Sequence, residues 1–591
     1  MRKASTLAEY QNPQQQPGGE GRLLLIFLVT FLLIMAAQPL LKKYFPTPPP
    51  PQQLQQQATT PTVPPPPPSA PAAASKSGAP SPSVARQATS ESETVIESNL
   101  YRITFTNRGA QVKSWILKKF DNDGENGPLD LVNSAAAAQY GYPLSLWTYD
   151  EDLRGKLSSV LYVGSQAGQT IHAPATVTFE YSDADLTVRK TFTFDDTYVA
   201  KFETSVVYKG SYVAAIPSWP SGFGDQSSQA FYATSLITYQ FNKNIERLPI
   251  KKISGGGTIP GPLHWAGPND QYFAAIFIPD DPVTASMVTL RHSLAVARDP
   301  QQKNSTEKVN VELLGAAVGN IHGPTSGRLF VGPKELELLQ KIFVPGVSGA
   351  DNDLTGLVDF GWWGIIAKPL FIWLRWTYHH MVANWGWAIV IQTIIITLAL
   401  LPLRIMQMKS MLKMQRVAPQ IKSIQEKYKK YSLRDPRKAA MNEEISALYK
   451  KEGVNPAGGC LPMLIQMPFL FAYYRMLATA LDLRHAHWLW IRDLSAAEPI
   501  PYILPIIMIV SMLVVQRMTP QAGMDPAQQR MMNVMMPLMM GFIFFRLAAG
   551  LNLYYAVVNV ISIAQQAVMN RTHLGREMRE MMAKRARKKD K

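Results

Sequence analysis

Cysteine is almost missing. Cys460 is the one thiol in 591 residues, which excludes an intrachain disulfide and any cysteine-based metal cluster. Acid is short as well, with 43 Asp and Glu against 59 Lys and Arg and a formal net charge of +16. The common catalytic signatures are absent: there is no HExxH zinc helix, no GxSxG elbow, no Walker A loop and no GxGxxG opening a βαβ unit. The nearest metal-like feature is His485 with His487, a pair without further ligands beside Trp488 and Trp490, which reads as a membrane-interface segment. Trp219, His264 and Trp265 would suit sugar stacking, but no convergent set of acids accompanies them, so they read as core or loop residues. No metal, cofactor or enzyme activity is expected.

What the chain has instead is apolar length and base. Hydrophobic residues make up 47% of it and the mean hydropathy is -0.06, values that fit a chain part membrane and part soluble. Five apolar stretches in the last third, at 384–403, 461–481, 499–516, 531–549 and 551–569, each have roughly the 20 residues that cross about 30 Å of hydrocarbon. Base is concentrated between Arg404 and Lys451 and again from Arg571 to Lys591. Counting crossings puts both clusters on one side, and the positive-inside rule makes that side the cytoplasm. The surplus is therefore largely topological. A ribosome or anionic lipid headgroups suit such clusters, whereas sequence-specific nucleic-acid binding would need a reading module that the chain lacks.

Residues 1–22 are read as a cytoplasmic N-terminus and 23–41 as a first transmembrane anchor. A cleaved signal peptide is the alternative, with Ala37 small but Met35 standing where a second small residue belongs. The Pro, Gln, Ala and Ser tract of 46–92 is an extended tether. Over 93–345 the pattern turns to period two, as in Tyr101 to Asn107 and Leu186 to Phe194, with turn signals between the runs. That argues an all-β sandwich, extracytoplasmic by parity. Residues 359–381, rich in Trp but carrying Lys368, Pro369, Arg375, His379 and His380, suit an amphipathic helix lying in the outer interface. Residues 404–452 read as a basic antiparallel helical hairpin turning at Ser432 to Arg434, and 570–591 as a basic tail. The fold class expected is a polytopic α-helical membrane protein, one anchor plus a five-helix core, bearing the sandwich.

The apolar stretches also carry polar residues at helical spacing. Asn552, Tyr555, Asn559, Ser562 and Gln566 recur at intervals of three and four and line one side of the last helix. Thr393, Thr397 and Arg404 share a face of the first core span, and Gln466 and Tyr473 share one on the next. Hydrocarbon tolerates such rows poorly, so they line either a water-filled groove or a closed bundle that pairs each group individually.

The run Gly458 to Pro468 (GGCLPMLIQMP), preceded by Val454-Asn455-Pro456, resembles the signature of the YidC family of membrane protein insertases. So do Gly550 to Tyr555 (GLNLYY), Gln565-Gln566, the β-domain opening Phe105 to Ala110 (FTNRGA), and the order anchor, tether, β-domain, five-helix core. The resemblance is to the Gram-negative form of the family. It implies a multi-pass protein of the bacterial inner membrane with its β-domain in the periplasm, and a hydrophilic groove that shelters nascent membrane segments before they move sideways into lipid. It further implies work beside the Sec translocon and with ribosomes, without nucleotide hydrolysis. On this reading the groove comprises Gln392, Thr393, Thr397, Arg404, Gln466, Met467, Pro468, Tyr473, Asn552, Tyr555, Asn559, Ser562 and Gln566. One position departs from the family's pattern: five residues before Pro402-Leu403, where the family usually carries arginine, stands Thr397. Arg404 is then either a replacement charge at the groove mouth or an ordinary cytoplasmic anchor.

Two other functional classes are weighed against this. A small-solute transporter or channel would usually show paired acids at mid-membrane or inverted repeats, and a tail-anchored glycan-processing enzyme would need an acid pair; neither is found.

Overall fold

The computed structural model describes residues 85–576 except 123–124, 126, 225–234, 298–307, 348–351, 429–430, 432–436, 455–460, 499–501, 519–533, 535, 546 and 573–575, and beyond them residue 580. The N-terminus, the 23–41 anchor, most of the tether, the hairpin turn, Cys460, and all of the tail past residue 572 except Arg576 and Glu580 lie outside the described residues. So do parts of 499–516 and 531–549, and the side chain of Gln466.

Alternation builds the first half. In Leu186–Phe194 the residues Leu186, Val188, Phe192 and Phe194 are buried while Thr187 and Arg189 face solvent. This strand pairs antiparallel with Ala175–Ser182 on one side and Val199–Tyr208 on the other. They belong to a large sheet whose path runs Asn244–Pro249, Leu236–Phe241, Leu263–Asn269, Phe273–Pro279, Thr325–Pro333, Val199–Tyr208, Leu186–Phe194, Ala175–Ser182 and Val163–Gly164. Two five-stranded sheets complete the β-sandwich, one containing Tyr101–Thr106 and Gln111–Asp121, the other the long hairpin Ala285–Ala297 with Lys308–Asn320. Aromatic side chains fill the space between the sheets. Phe105 lies 5.5 Å from Phe179 and 5.2 Å from Phe192, and Trp115 lies 5.9 Å from Trp219. Each such fully buried Phe contributes about 1.5–3 kcal/mol.

The FTNRGA segment closes on itself at Gly109, whose φ is +70° and where a Cβ would come within 2.6 Å of the Ser158 carbonyl oxygen, so only glycine fits. Lys190, on the inward face of Leu186–Phe194 and fully buried, donates from Nζ to the carbonyls of Gly109 (2.8 Å), Ala110 (3.0 Å) and Leu144 (2.9 Å). Three short helices decorate the sandwich: α1 (Ser134–Tyr140), α2 (Glu151–Ser159) and α3 (Leu336–Leu339). Asn133 Oδ1 caps α1 by accepting from the Ala136 amide, and Asp150 does the same for Leu153 in α2.

The second half is helical: α4 (Gly364–His380), α5 (Trp385–Ala399), α6 (Leu401–Lys427), α7 (Arg437–Lys451), α8 (Leu461–Thr479), α9 (Ile503–Met518), α10 (Met536–Phe544) and α11 (Ala549–Arg571). Among the described residues no single helix is long and apolar enough to cross a membrane by itself. Helices α4 and α5 meet the requirement together but are bent by 120°. The bend falls at Asn384, whose Oδ1 caps α5 by accepting from the Trp387 amide (3.1 Å) and whose Nδ2 donates to the His487 carbonyl (3.0 Å). On α4 and just before it, Trp362, Ile365, Ile372 and Trp376 are exposed. Helices α5, α8 and α11 share a second apolar core of Ala388, Ile389, Ala472, Met476, Leu551 and Leu553. Helices α6 and α7 pack as a hairpin, Val417 and Ile421 against Ile445, Leu448 and Tyr449, with Lys427 and Glu444 paired at 2.7 Å.

The two halves touch. Gln271 in the sandwich donates to the Ala478 carbonyl at the end of α8, and Arg484 lies 5.5 Å above the Phe273 ring. Arg375 of α4 sits between Glu337 of α3 (3.2 Å) and Asp482 (3.8 Å).

Candidate substrate groove

The polar row of α11 is divided among its neighbours by where each helix passes. Asn552, fully buried near the outer end, donates from Nδ2 to the carbonyls of Phe544 (3.1 Å) and Leu547 (3.4 Å), satisfying the unravelled end of α10. Tyr555 meets the Phe544 ring edge-on at 4.7 Å. Asn559 donates to Ser511 Oγ on α9 (3.1 Å). Ser562 accepts from Arg404 Nη1 (2.6 Å), which also reaches Gln565 Oε1 (3.0 Å). Gln566, buried, donates to Asn570 Oδ1 one turn below (3.0 Å).

A second polar group lies across the α5–α8 contact. Gln392 Nε2 donates to the Leu370 carbonyl of α4 (2.9 Å), and Tyr473 Oη donates to Gln392 Oε1 (2.8 Å). The Tyr473 ring stacks on Tyr554 of α11 at 4.2 Å. The amide ties three helices together, and the stacked tyrosines add α11. Thr393 and Thr397 turn their hydroxyls back onto the carbonyls of Ile389 and Thr393, each at 2.6 Å, the usual way a threonine satisfies itself in an apolar helix. Met467 and Pro468 are half-buried in α8, where Pro468 removes one amide from the helical ladder.

The expected residues thus fall into an outer set around Gln392, Tyr473 and Asn552, an inner set around Arg404 and Ser562, and Asn559 between them. Sequence reasoning did not single out Ser511, Tyr554 or Gln565 as site residues. A lone serine in the apolar run of α9 was a readable signal for Ser511. Gln565 is one residue, about 100° of helix, from the face that was counted. No Asp or Glu occurs in α5, α8, α9, α10 or α11, so the polarity of this interior is neutral apart from arginine.

A helical core with a neutral polar interior, carrying a β-sandwich on one end, is the class of protein these features define. The family model described as 60Kd inner membrane protein matches residues 376–576, and the YidC periplasmic domain model matches 93–373. A membrane protein insertase YidC of Cupriavidus necator is 38% identical over 407 residues, covering 65% of this chain and 68% of the relative. One from Bordetella avium is 30% identical over 513 residues, covering 84% and 85%. Among solved structures, an active YidC insertase with its first transmembrane domain resolved aligns over 83% of this chain and 95% of its own, with a TM-score of 0.33 and 20% identity. The chain belongs to the YidC family of membrane protein insertases, which is not an enzyme family.

Proposed function

We propose that this chain inserts nascent membrane proteins, holding a client's hydrophilic tail against the polar interior of α5, α8, α9 and α11 while its apolar segment moves into lipid. The observation that carries this is the uncharged hydrogen-bonding row that α11 presents to its neighbours inside a core without carboxylates. A charge centred in a membrane helix costs on the order of 3 kcal/mol, and walls of amide and hydroxyl groups lower that cost without an external energy source. The apolar client segment supplies the driving force by leaving water. The sandwich is assigned to the periplasm and the α6–α7 hairpin to the cytoplasm, where exposed Lys409, Lys413 and Lys422 suit a ribosome or anionic lipid, with the Sec translocon a further partner.

Insertion of a short-tailed client by variants at matched abundance tests the reading. Asn559→Leu with Gln566→Leu dries the row and should reduce insertion strongly. Arg404→Ala removes a Coulomb attraction of about 1 kcal/mol or less in a hydrated groove, so its loss should be at most about fivefold. Thr397→Arg serves as a third arm, adding a charge seven residues, about two helical turns, above Arg404. Abolition by Arg404→Ala with a silent double variant would establish charge capture and overturn the hydration mechanism.

A further inference from the structure

The charge balance at the inner end of α11 does not close. Arg404 is half-buried. Its hydrogen bonds go to two neutral oxygens, Ser562 Oγ and Gln565 Oε1, both from Nη1. No carboxylate pairs with it among the described residues, and none occurs in α5, α8 or α11. Gln565, nine-tenths buried, turns its Oε1 to Arg404 and leaves its own Nε2 without a partner. A half-buried guanidinium with unused N–H groups and a buried amide donor beside it make a cluster of donors with no acceptor for them, and a cation partly withdrawn from water without a counter-ion is destabilising.

We propose that Arg404 and Gln565 form a binding site for the phosphate of an anionic phospholipid headgroup. Depth supports a lipid. Arg404 follows Trp385, the outer end of α5, by nineteen residues, about 28 Å of helix against about 30 Å of hydrocarbon, which puts the guanidinium at the inner headgroup level. The same elements carry exposed apolar side chains available to acyl chains, Leu398 and Met406 in α5 and α6 and Val560 and Val568 in α11. The guanidinium fork matches phosphate oxygens, and the net positive charge selects an anionic headgroup over a zwitterionic one. A headgroup is present continuously, whereas a client carboxylate arrives only during insertion. The assignment rests on charge balance and is independent of the insertion mechanism above.

The test is native mass spectrometry of the full chain released from nanodiscs of equal phosphatidylglycerol and phosphatidylcholine. The wild-type chain should retain one phosphatidylglycerol. Gln565→Glu keeps the acceptor for Arg404 and supplies the missing negative charge from within, so it should fold with unchanged or raised melting temperature and lose the lipid on the order of tenfold. Arg404→Lys keeps the charge but not the fork and should show weaker retention. It stands as the readout should Gln565→Glu fail to fold. Retention equal to wild type in either folded variant overturns the proposal. Displacement of the lipid by millimolar inorganic phosphate, with no preference between the two lipids, overturns it in favour of a free-anion site. Displacement by an acidic client peptide at stoichiometric concentration overturns it in favour of client capture.

Discussion

Three carbonyl oxygens surround the ammonium of Lys190, and burial pushes that group down to about 7 although the carbonyls themselves favour the charged form. Unfolded, the same lysine titrates near its ordinary 10.5. Between those values the unfolded chain binds more protons than the folded one, so stability should rise as pH increases from about 7 toward 10 and fall to its lower plateau below 7. The melting temperature of the sandwich, followed by tryptophan fluorescence in the full chain, should climb across that window in the wild type and be flat in Lys190→Met. The variant should also lose roughly 2 kcal/mol at pH 9, because the two N–H bonds that the neutral amine makes to the surrounding carbonyls are lost. The alternation that turns Leu186, Val188, Phe192 and Phe194 inward turns Lys190 inward too. Its burial was legible in the register, while the FTNRGA carbonyls that make it tolerable lie some eighty residues away and were not.

Helical spacing was enough to place Asn552, Tyr555, Asn559, Ser562 and Gln566 on one side of α11, whereas Thr397 and Arg404, expected on one span, lie on two helices, α5 and α6. It could not say that this side of α11 meets three different helices along its length, since which helix passes at which height is decided by packing outside the segment. The ends of elements were harder still. The helix after the first core span begins at Leu401 and carries Arg404 in its first turn, with α5 ending at Ala399, because Pro402 is acceptable in a helix's opening turn where its missing N–H has no partner to lose. Likewise Glu498, buried ahead of α9, accepts from the Ile503 amide (3.1 Å) and the Trp490 indole (2.8 Å) through one oxygen and from the Leu504 amide (2.8 Å) through the other. Glu498→Ala strips the cap from α9 and the anchor from the outer loop. A loss of about 1–2 kcal/mol is expected, read as a lower melting temperature, with Glu498→Gln less affected since it keeps one acceptor. Equal melting of Glu498→Ala and wild type would remove the cap from the account.

At the scale of the whole molecule, the composition shift at the tether, the period-two half and the apolar half were readable, and the sandwich is where the alternation put it. The contact between the halves was not, because it joins single residues from distant segments. Arg375→Glu faces Glu337 and Asp482 with a third carboxylate, so the α3 amides should exchange hydrogen faster, and Arg375→Glu with Glu337→Arg should exchange more slowly than the single variant. Exchange unchanged in Arg375→Glu would mean that the other contacts, among them Gln271 with Ala478 and Arg484 with Phe273, hold the halves together without it. For topology, cysteines placed at exposed Asp185 and Lys422 in a Cys460→Ser background should react with impermeant reagent from opposite sides; reaction from one side would refute the assignment. The outer end of the helical core bears on what such a protein must avoid. Gly386 lets the Trp488 ring approach so closely that a Cβ there would sit 2.1 Å from it. The Ala549 amide bonds to the Ala496 carbonyl at 2.7 Å, the Gly550 amide to Leu494 at 2.8 Å, and Ile491 and Leu494 are buried beneath. On the proposed reading, a wet cleft stoppered in this way on its outer side would give ions no continuous column of water to follow. A cell using such an insertase would keep its transmembrane voltage with the proposed cleft hydrated from within, with no gate required to open or shut for each client.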